Sequence, residues 1–167
     1  METRQVTSKE FFRSLTIVFY AMIIGTVFFA AISFSLHQLG FEKAEMDVFK
    51  YIVPLLIIIG IVGGNFMFKK QLKVALSKID LLDKLNNYRS ALIIRYAFLE
   101  GSAFFTIAVY LVTGNMFFLG LAFIPILSFL LFVPSIEKTQ FDLELNHDEK
   151  QRINTPETVL GSMEIGT

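Results

Sequence analysis

Two oppositely charged residues, Arg95 and Glu100, lie inside a stretch that is otherwise apolar. A charged side chain at the centre of a membrane helix costs about 2.5–3.5 kcal/mol on insertion scales, so such residues mark ion or proton sites by default. Glu100 must therefore be protonated or paired with a cation. Five residues turn roughly 500° around a helix, which leaves the two side chains about 140° apart and makes Arg95 a poor partner within its own helix.

Other polar groups at similar depth could complete an ion or proton site. Tyr96 shares the face of Glu100 one turn earlier, and Arg95 could contact Asn65 or pair with Glu100 of another subunit. Pro125 lacks an amide hydrogen and so frees a backbone carbonyl one turn before it. Function and structural support remain open alternatives for Glu100. The candidate intramembrane polar site consists of Glu100, Arg95, Asn65, Tyr96, Thr26 and Pro125.

Long apolar segments must position these residues. The chain has 167 residues, of which 54% are hydrophobic and 18% charged, whereas a soluble domain is about 45–50% apolar and about 25% charged. The apolar segments are continuous, without the alternation of barrel strands, and helices satisfy their own backbone in lipid. We therefore predict an all-α integral membrane protein with four transmembrane helices, at Ser14–Leu36, Tyr51–Phe68, Ala91–Val112 and Met116–Val133.

The basic residues predict the orientation, because cytoplasmic loops are enriched in Lys and Arg. Residues 1–13 carry three, residues 69–89 carry six and residues 135–167 carry three, whereas the opposite side has only Lys43 and Lys50. Both termini and the 69–89 segment are therefore expected in the cytoplasm of an inner-membrane, multi-pass protein. The transmembrane domain is expected to occupy residues 14–134.

The 69–89 segment has the periodicity of an amphipathic helix. The sequence Ser77-Lys78-Ile79-Asp80 is typical of a capping box, so a new helix is expected to begin near Ser77. One interpretation is a helical hairpin that projects into the cytoplasm. The alternative is an amphipathic stretch on the lipid headgroups. The periodic leucine and isoleucine positions are Leu72, Leu76, Ile79, Leu82 and Leu85.

Spans one and three resemble each other at an offset of 76 residues, as in Tyr20-Ala21 and Tyr96-Ala97. This predicts two parallel-repeat helical hairpins related by an axis along the membrane normal. Small residues four apart let helix backbones approach closely. The expected helix-packing positions are Gly60 and Gly64 in span two, with Ala21, Gly25, Ala97 and Gly101 in the repeated spans.

The segment 135–167 contains seven acidic and three basic residues. Asn146 could cap a short helix that runs through Arg152. Thr155-Pro156 should end it, because the residue before a proline avoids the helical region. The remaining residues are small or polar and predict disorder. The tail is either a solvated end or a docking peptide.

The tract Ala91–Asn115, which contains Arg95-Tyr96-Ala97, Leu99-Glu100-Gly101 and Thr113-Gly114-Asn115, resembles small four-span inner-membrane proteins of the Bacteroidota. That resemblance implies the fold and location but no chemistry. More distantly, a doubled hairpin with one buried acid is similar to the proteolipid subunits of rotary ATPases, which implies Glu100 as an ion-carrying acid. The dense glycine runs and polar loop motif of those proteolipids are absent here.

Several other function classes lack their residues. The chain has no Cys and no glycine-rich phosphate loop, and its histidines, His37 and His147, are too far apart to form a zinc or haem site. Its formal net charge of zero gives no field for nucleic acid. We expect no enzyme, cofactor or metal. The expected partners are the lipid bilayer and either a membrane protein or further copies of the chain. The function is expected to be that of a structural or accessory subunit or, alternatively, a small ion- or proton-translocating oligomer that uses Glu100.

Overall fold

The computed structural model describes residues 2–38 and 47–165 of the chain. The described part is all-α in class, with six helices and a single two-stranded sheet. The elements are β1 (Glu2–Thr7), α1 (Ser8–Gln38), α2 (Phe49–Leu76), α3 (Leu81–Thr113), α4 (Met116–Leu130), α5 (Ile136–Asp142), α6 (His147–Asn154) and β2 (Val159–Ile165).

Three helices, α1, α2 and α3, are long and apolar enough to cross a membrane. They contain the first three predicted spans and extend beyond them at both ends. Large apolar side chains on α1 and α2, including Phe28 and Phe66, are more than 60% exposed. Apolar surface on that scale requires an apolar solvent, which indicates a membrane protein.

The fourth helix is shorter than the sequence predicted. α4 ends at Leu130 instead of Val133 and contains 15 residues, which corresponds to about 22 Å of rise against a hydrocarbon core of about 30 Å. Pro134 lies four residues after Leu130 and disfavours a helical conformation at Val133, the residue before it. The last amides, at Leu131 and Phe132, bond three residues back instead of four. α4 therefore lacks the length of α2, with 28 residues, and the predicted repeat of two equivalent hairpins stays a prediction.

The turn between α2 and α3 corrects the predicted cap. α2 continues without a break to Leu76 and α3 begins at Leu81, so the 69–89 segment is helical on both sides of a short turn. The carboxylate of Asp80 accepts the backbone N–H of Leu82 at 2.9 Å, whereas the Ser77 hydroxyl donates back to the Val74 carbonyl. Asp80 caps α3 because its oxygen reaches the unpaired amides of the first turn.

The described residues divide into two compact units, and each unit takes part of all three long helices. We call Met1–Phe19, Phe68–Ile93 and Pro134–Thr167 the terminal unit, and Tyr20–Met67 with Ile94–Val133 the membrane unit.

The terminal unit joins the two ends of the chain. β1 pairs antiparallel with β2, and the buried Ser8 hydroxyl donates to the Ile153 carbonyl at 2.5 Å. A two-stranded sheet is marginal alone and needs a packed face. The buried apolar side chains of this unit include Phe11, Leu15, Leu85, Tyr88, Leu143, Ile153 and Leu160.

The acidic tail is more ordered than the sequence predicted. Asn146 caps α6 with a complete capping box, and Thr155 ends the helix, so that part of the prediction is confirmed. The expected disorder after Pro156 is wrong for Val159–Ile165, which forms β2. The partner strand lies at the opposite end of the sequence, where short-range patterns carry no signal for it.

In the membrane unit, α3 is the helix that the others cover. Half of the residues in the most apolar stretch of α3 are buried, whereas the corresponding stretches of α1 and α2 are 17% and 28% buried. An apolar core joins α2, α3 and α4 through Val53, Ile57, Val109, Tyr110 and Phe118. α3 also contains three residues of the predicted polar site, Arg95, Tyr96 and Glu100.

Candidate functional site in the membrane unit

Arg95 lies at the end of α4 rather than beside Glu100. Its side chain is 9% exposed, and the guanidinium carbon lies 4.3 Å from the centre of the Phe132 ring. A guanidinium over an aromatic face is held by the ring quadrupole. A cation is also favoured near a helix C-terminus, where backbone carbonyls lack helical donors.

Tyr96 contacts the same end of α4. Its hydroxyl donates to the Phe132 carbonyl at 2.8 Å, and its ring stacks on Phe129 at 5.9 Å. Tyr96 is completely buried. The hydroxyl therefore donates to the backbone just beyond the end of α4. The position of Tyr96 on the same helix face as Glu100 had suggested a bond to Glu100 instead.

Glu100 is half-buried on α3. Among residues 2–38 and 47–165 it forms no ion pair within 4 Å, and the guanidinium of Arg95 is engaged by Phe132. The predicted separation of the two side chains around the helix agrees with this arrangement. Glu100 is therefore an acidic residue of the membrane unit that has no ion pair among the described residues.

The other polar members of the predicted site are satisfied locally. The Thr26 hydroxyl donates to the Met22 carbonyl and the Asn65 amide donates to the Ile61 carbonyl, both at 3.0 Å. Such bonds to the preceding turn occupy polar side chains within their own helix. Pro125 is buried inside α4. The structure therefore brings Arg95 and Tyr96 together and does not join the six predicted residues into one cluster.

The glycines of α2 do pack, as the sequence predicted. A methyl group at Gly60 would lie 2.6 Å from the Ser102 hydroxyl oxygen and 2.9 Å from the Phe98 carbonyl oxygen. At Gly64 it would lie 3.0 Å from Phe98 Cβ and 3.3 Å from the Arg95 carbonyl oxygen. The backbone of α3 approaches α2 as closely as only glycine permits.

The small residues of α1 and α3 do not form such contacts. A methyl group at Gly25 or Gly101 would meet nothing within 4 Å, and Ala21 and Ala97 are exposed. Within the described residues these four positions are open, and their predicted packing role stays a prediction. Gly101 and Ala97 instead line an apolar groove of about 480 Å³ beside Leu56, Ile59 and Phe105. The period-four spacing is the same as in α2, so spacing alone could not distinguish packed from open positions.

Sequence reasoning missed the contact between His37 and the turn after α3. Gly114 has a φ of +62°, and a methyl group there would overlap the imidazole of His37. The ring centre of His37 also lies 5.5 Å from that of Tyr110. The Gly114-Asn115 pair is a recognisable turn signal, but nothing in the sequence indicates which side chain covers it.

The polar pairs of the terminal unit were also missed. The Tyr88 hydroxyl donates to the Asp142 carboxylate at 2.8 Å. The ammonium of Lys84 donates to Glu149 at 2.6 Å, with both side chains less than one-fifth exposed. Burial raises the pKa of Glu149, but the hydrogen bonds from Lys84 and the Asn146 backbone outweigh it and hold the pKa below its usual range.

In the part of the chain that the structure describes, no group of three His, Cys, Asp or Glu side chains could hold a metal ion. Comparisons with protein families, curated proteins and solved structures find no match for this chain. Function must therefore be argued from the geometry alone.

Proposed function

We propose that this chain is a four-span protein of the inner membrane with both termini in the cytoplasm. The excess of basic residues in segments 1–13, 69–89 and 135–167 supports this orientation. A structural argument supports the number of spans. β1 pairs with β2, so both ends of the chain lie on one side of the membrane. Three crossings would separate them, which supports α4 as a fourth crossing despite its 15 residues.

The shortness of α4 also gives Arg95 and Tyr96 a role. A short span forces local thinning of the bilayer or exposes its terminal backbone to lipid. Tyr96 bonds the Phe132 carbonyl just beyond the helix end, and Arg95 brings a cation to the same place. Arg95 and Tyr96 therefore stabilise the end of a short span, which is a structural role and not a role in transport.

The chain acts as a structural or accessory subunit of a membrane complex. The observation that carries this proposal is the terminal unit, in which both chain ends and the α2–α3 turn form one folded body held by the Ser8–Ile153 and Lys84–Glu149 hydrogen bonds. Such a body offers a fixed surface to a partner. The partner is a membrane protein or a second copy of the chain, with no role for nucleic acid.

A second candidate function rests on Glu100. A half-buried carboxyl group in a membrane helix without an ion pair in the described residues is costly. An ion- or proton-translocating oligomer would use that group as its carrier. An accessory subunit would instead direct it at a polar group of the partner.

Glu100→Gln distinguishes these two functions, with Glu137→Gln on an exposed part of α5 as the matched control. Two readouts are needed: the mass of the particle extracted in mild detergent, by native mass spectrometry, and proton flux into liposomes with an internal pH dye. The accessory role predicts no flux in any sample and a smaller particle for Glu100→Gln alone. A carrier would show flux in the wild type that Glu100→Gln abolishes while the particle mass stays unchanged.

A further inference from the structure

Two buried hydroxyl groups of the membrane unit have no hydrogen-bond partner among residues 2–38 and 47–165. They belong to Ser33 on α1 and Tyr110 on α3, and both side chains are completely buried. Buried polar groups are nearly always paired, and an exception often marks a water or ion that bonds it. This pair therefore indicates a site outside the predicted cluster around Glu100.

Ser33 differs from the other hydroxyl residues of its helix. Thr26 and Ser35 donate to the carbonyls four residues before them, at 3.0 Å. The same bond from Ser33 would go to Phe29, and the Ser33 oxygen does not make it. The hydroxyl of Ser33 therefore lacks the bond to the preceding turn with which a helical serine ordinarily satisfies itself.

Ser33 and Tyr110 belong to the same stretch of the α1–α3 contact. Phe29 contacts Phe104 with ring centres 5.1 Å apart, and His37 contacts Tyr110 at 5.5 Å, so the two helices run alongside each other in the same direction. Ser33 lies midway between Phe29 and His37. Long side chains lean toward the N-terminus of their helix, which carries the Tyr110 hydroxyl back from its own turn toward the level of Ser33.

His37 closes the end of this region. It follows Ser33 by four residues and so lies on the same face of α1, one turn further on. Its imidazole lies against Gly114. A side chain at position 114 would overlap the ring, because even a methyl group there would meet it. The region between α1 and α3 is therefore bordered by two unpaired hydroxyls, the edge of an imidazole and a side-chain-free turn.

We propose that Ser33, Tyr110 and His37 form a buried water site, in which one bound water bridges the Ser33 Oγ and Tyr110 Oη atoms. A buried water makes about three hydrogen bonds, and two buried hydroxyls that are not bonded to each other offer donors and acceptors for it. The His37 imidazole supplies a third polar group at the outer end. The site is independent of Glu100 and of the accessory role proposed above.

X-ray radiolytic labelling of the wild-type protein in detergent tests the proposal without any substitution. Bound water generates hydroxyl radicals in place, so a buried side chain beside it is oxidised. Tyr96 is the internal control, because it is equally buried and its hydroxyl is bonded to the Phe132 carbonyl. We expect Tyr110 to be oxidised several times faster than Tyr96. Equal rates, or a slower rate at Tyr110, would overturn the proposal.

A double-variant cycle asks whether one water serves both hydroxyls. Ser33→Ala and Tyr110→Phe should each lower the melting temperature by about 2–4 °C, and the double variant should lower it by little more than either alone, because the same water is lost once. Ser35→Ala, which removes an exposed hydroxyl bonded within its own helix, is the matched control. Removal of a dry, unpaired hydroxyl would leave the melting temperature unchanged or raise it. That result, or fully additive losses, would refute the bridging water.

Discussion

Arg95 and Tyr96 are adjacent residues of α3 whose side chains both contact the chain just after α4. Both contact Phe132, one through its ring and one through its carbonyl. The sequence places Arg95 and Tyr96 together on α3, but their partner depends on where α4 ends. Pro134 was visible as a signal for that end, and the contact itself required the packed structure.

Tyr96→Phe should lower the free energy of unfolding of the membrane unit by about 1 kcal/mol, because the Phe132 carbonyl loses its buried donor. Tyr51→Phe is the matched control, since Tyr51 is 80% exposed. Thermal unfolding in detergent, followed by circular dichroism, measures both variants. Equal behaviour of the two would show that the Tyr96 hydrogen bond contributes nothing measurable.

Glu149 should make the stability of the terminal unit decrease as the pH falls. Its folded-state pKa lies below the ordinary value of 4.5. Its contribution to stability is therefore complete above about pH 5 and is lost as the pH falls through the lowered folded value. Glu149→Gln should cost about 1.5–3 kcal/mol at pH 7, as for a hydrogen bond to a charged group.

The measurement for Glu149 is chemical unfolding of wild type and variant between pH 3 and pH 7. Glu144→Gln serves as the control, because Glu144 is an exposed acidic residue of the same unit. The difference between wild type and Glu149→Gln should shrink as the pH falls. A difference that stays constant over that range would contradict the assigned shift.

Among the helices, α2 and α3 approach each other closely at Gly60 and Gly64. Gly60→Ala should destabilise the membrane unit by about 1–3 kcal/mol, because the added methyl group meets the Ser102 side chain and the Phe98 backbone oxygen. Gly101→Ala adds the same group where nothing lies within 4 Å, so it should be neutral or slightly stabilising through helix propensity. Thermal unfolding of the two variants side by side provides the comparison, and equal losses would refute the close approach at Gly60.

The elements differ in how well the sequence predicted them. Continuous apolar segments predicted α1, α2 and α3, and the leucine period predicted that α2 and α3 extend beyond their apolar segments. The GxxxG pattern predicted the packed face of α2 because close helix contacts require small residues. The same pattern is open at Gly25 and Gly101 within the described residues, since a small residue permits a neighbour but does not supply one.

The cap of α3 and the pairing of β1 with β2 show two further limits of sequence reasoning. Ser77 and Asp80 both suit a helix start, and the structure uses Asp80 because α2 extends as far as Leu76. The β1–β2 pairing joins opposite ends of the sequence. Its register depends on the folded terminal unit, and no local pattern of hydrophobicity encodes it.

The molecule as a whole brings its two termini together. In the proposed four-span arrangement, the antiparallel β1–β2 pair is explained by an even number of membrane crossings, with α4 as the returning crossing after α1, α2 and α3. The proposed cytoplasmic side rests on a separate observation, the excess of basic residues in segments 1–13, 69–89 and 135–167.

Labelling of single cysteines in intact cells tests that account most directly, and the absence of native Cys makes every introduced thiol the only one in the chain. Asn115→Cys, between α3 and α4, should react with a membrane-impermeant maleimide in intact cells. Lys78→Cys and Glu157→Cys should react only after permeabilisation. Labelling of Glu157→Cys in intact cells, with Lys78→Cys still protected, would place the chain ends on opposite sides and contradict the four-span account.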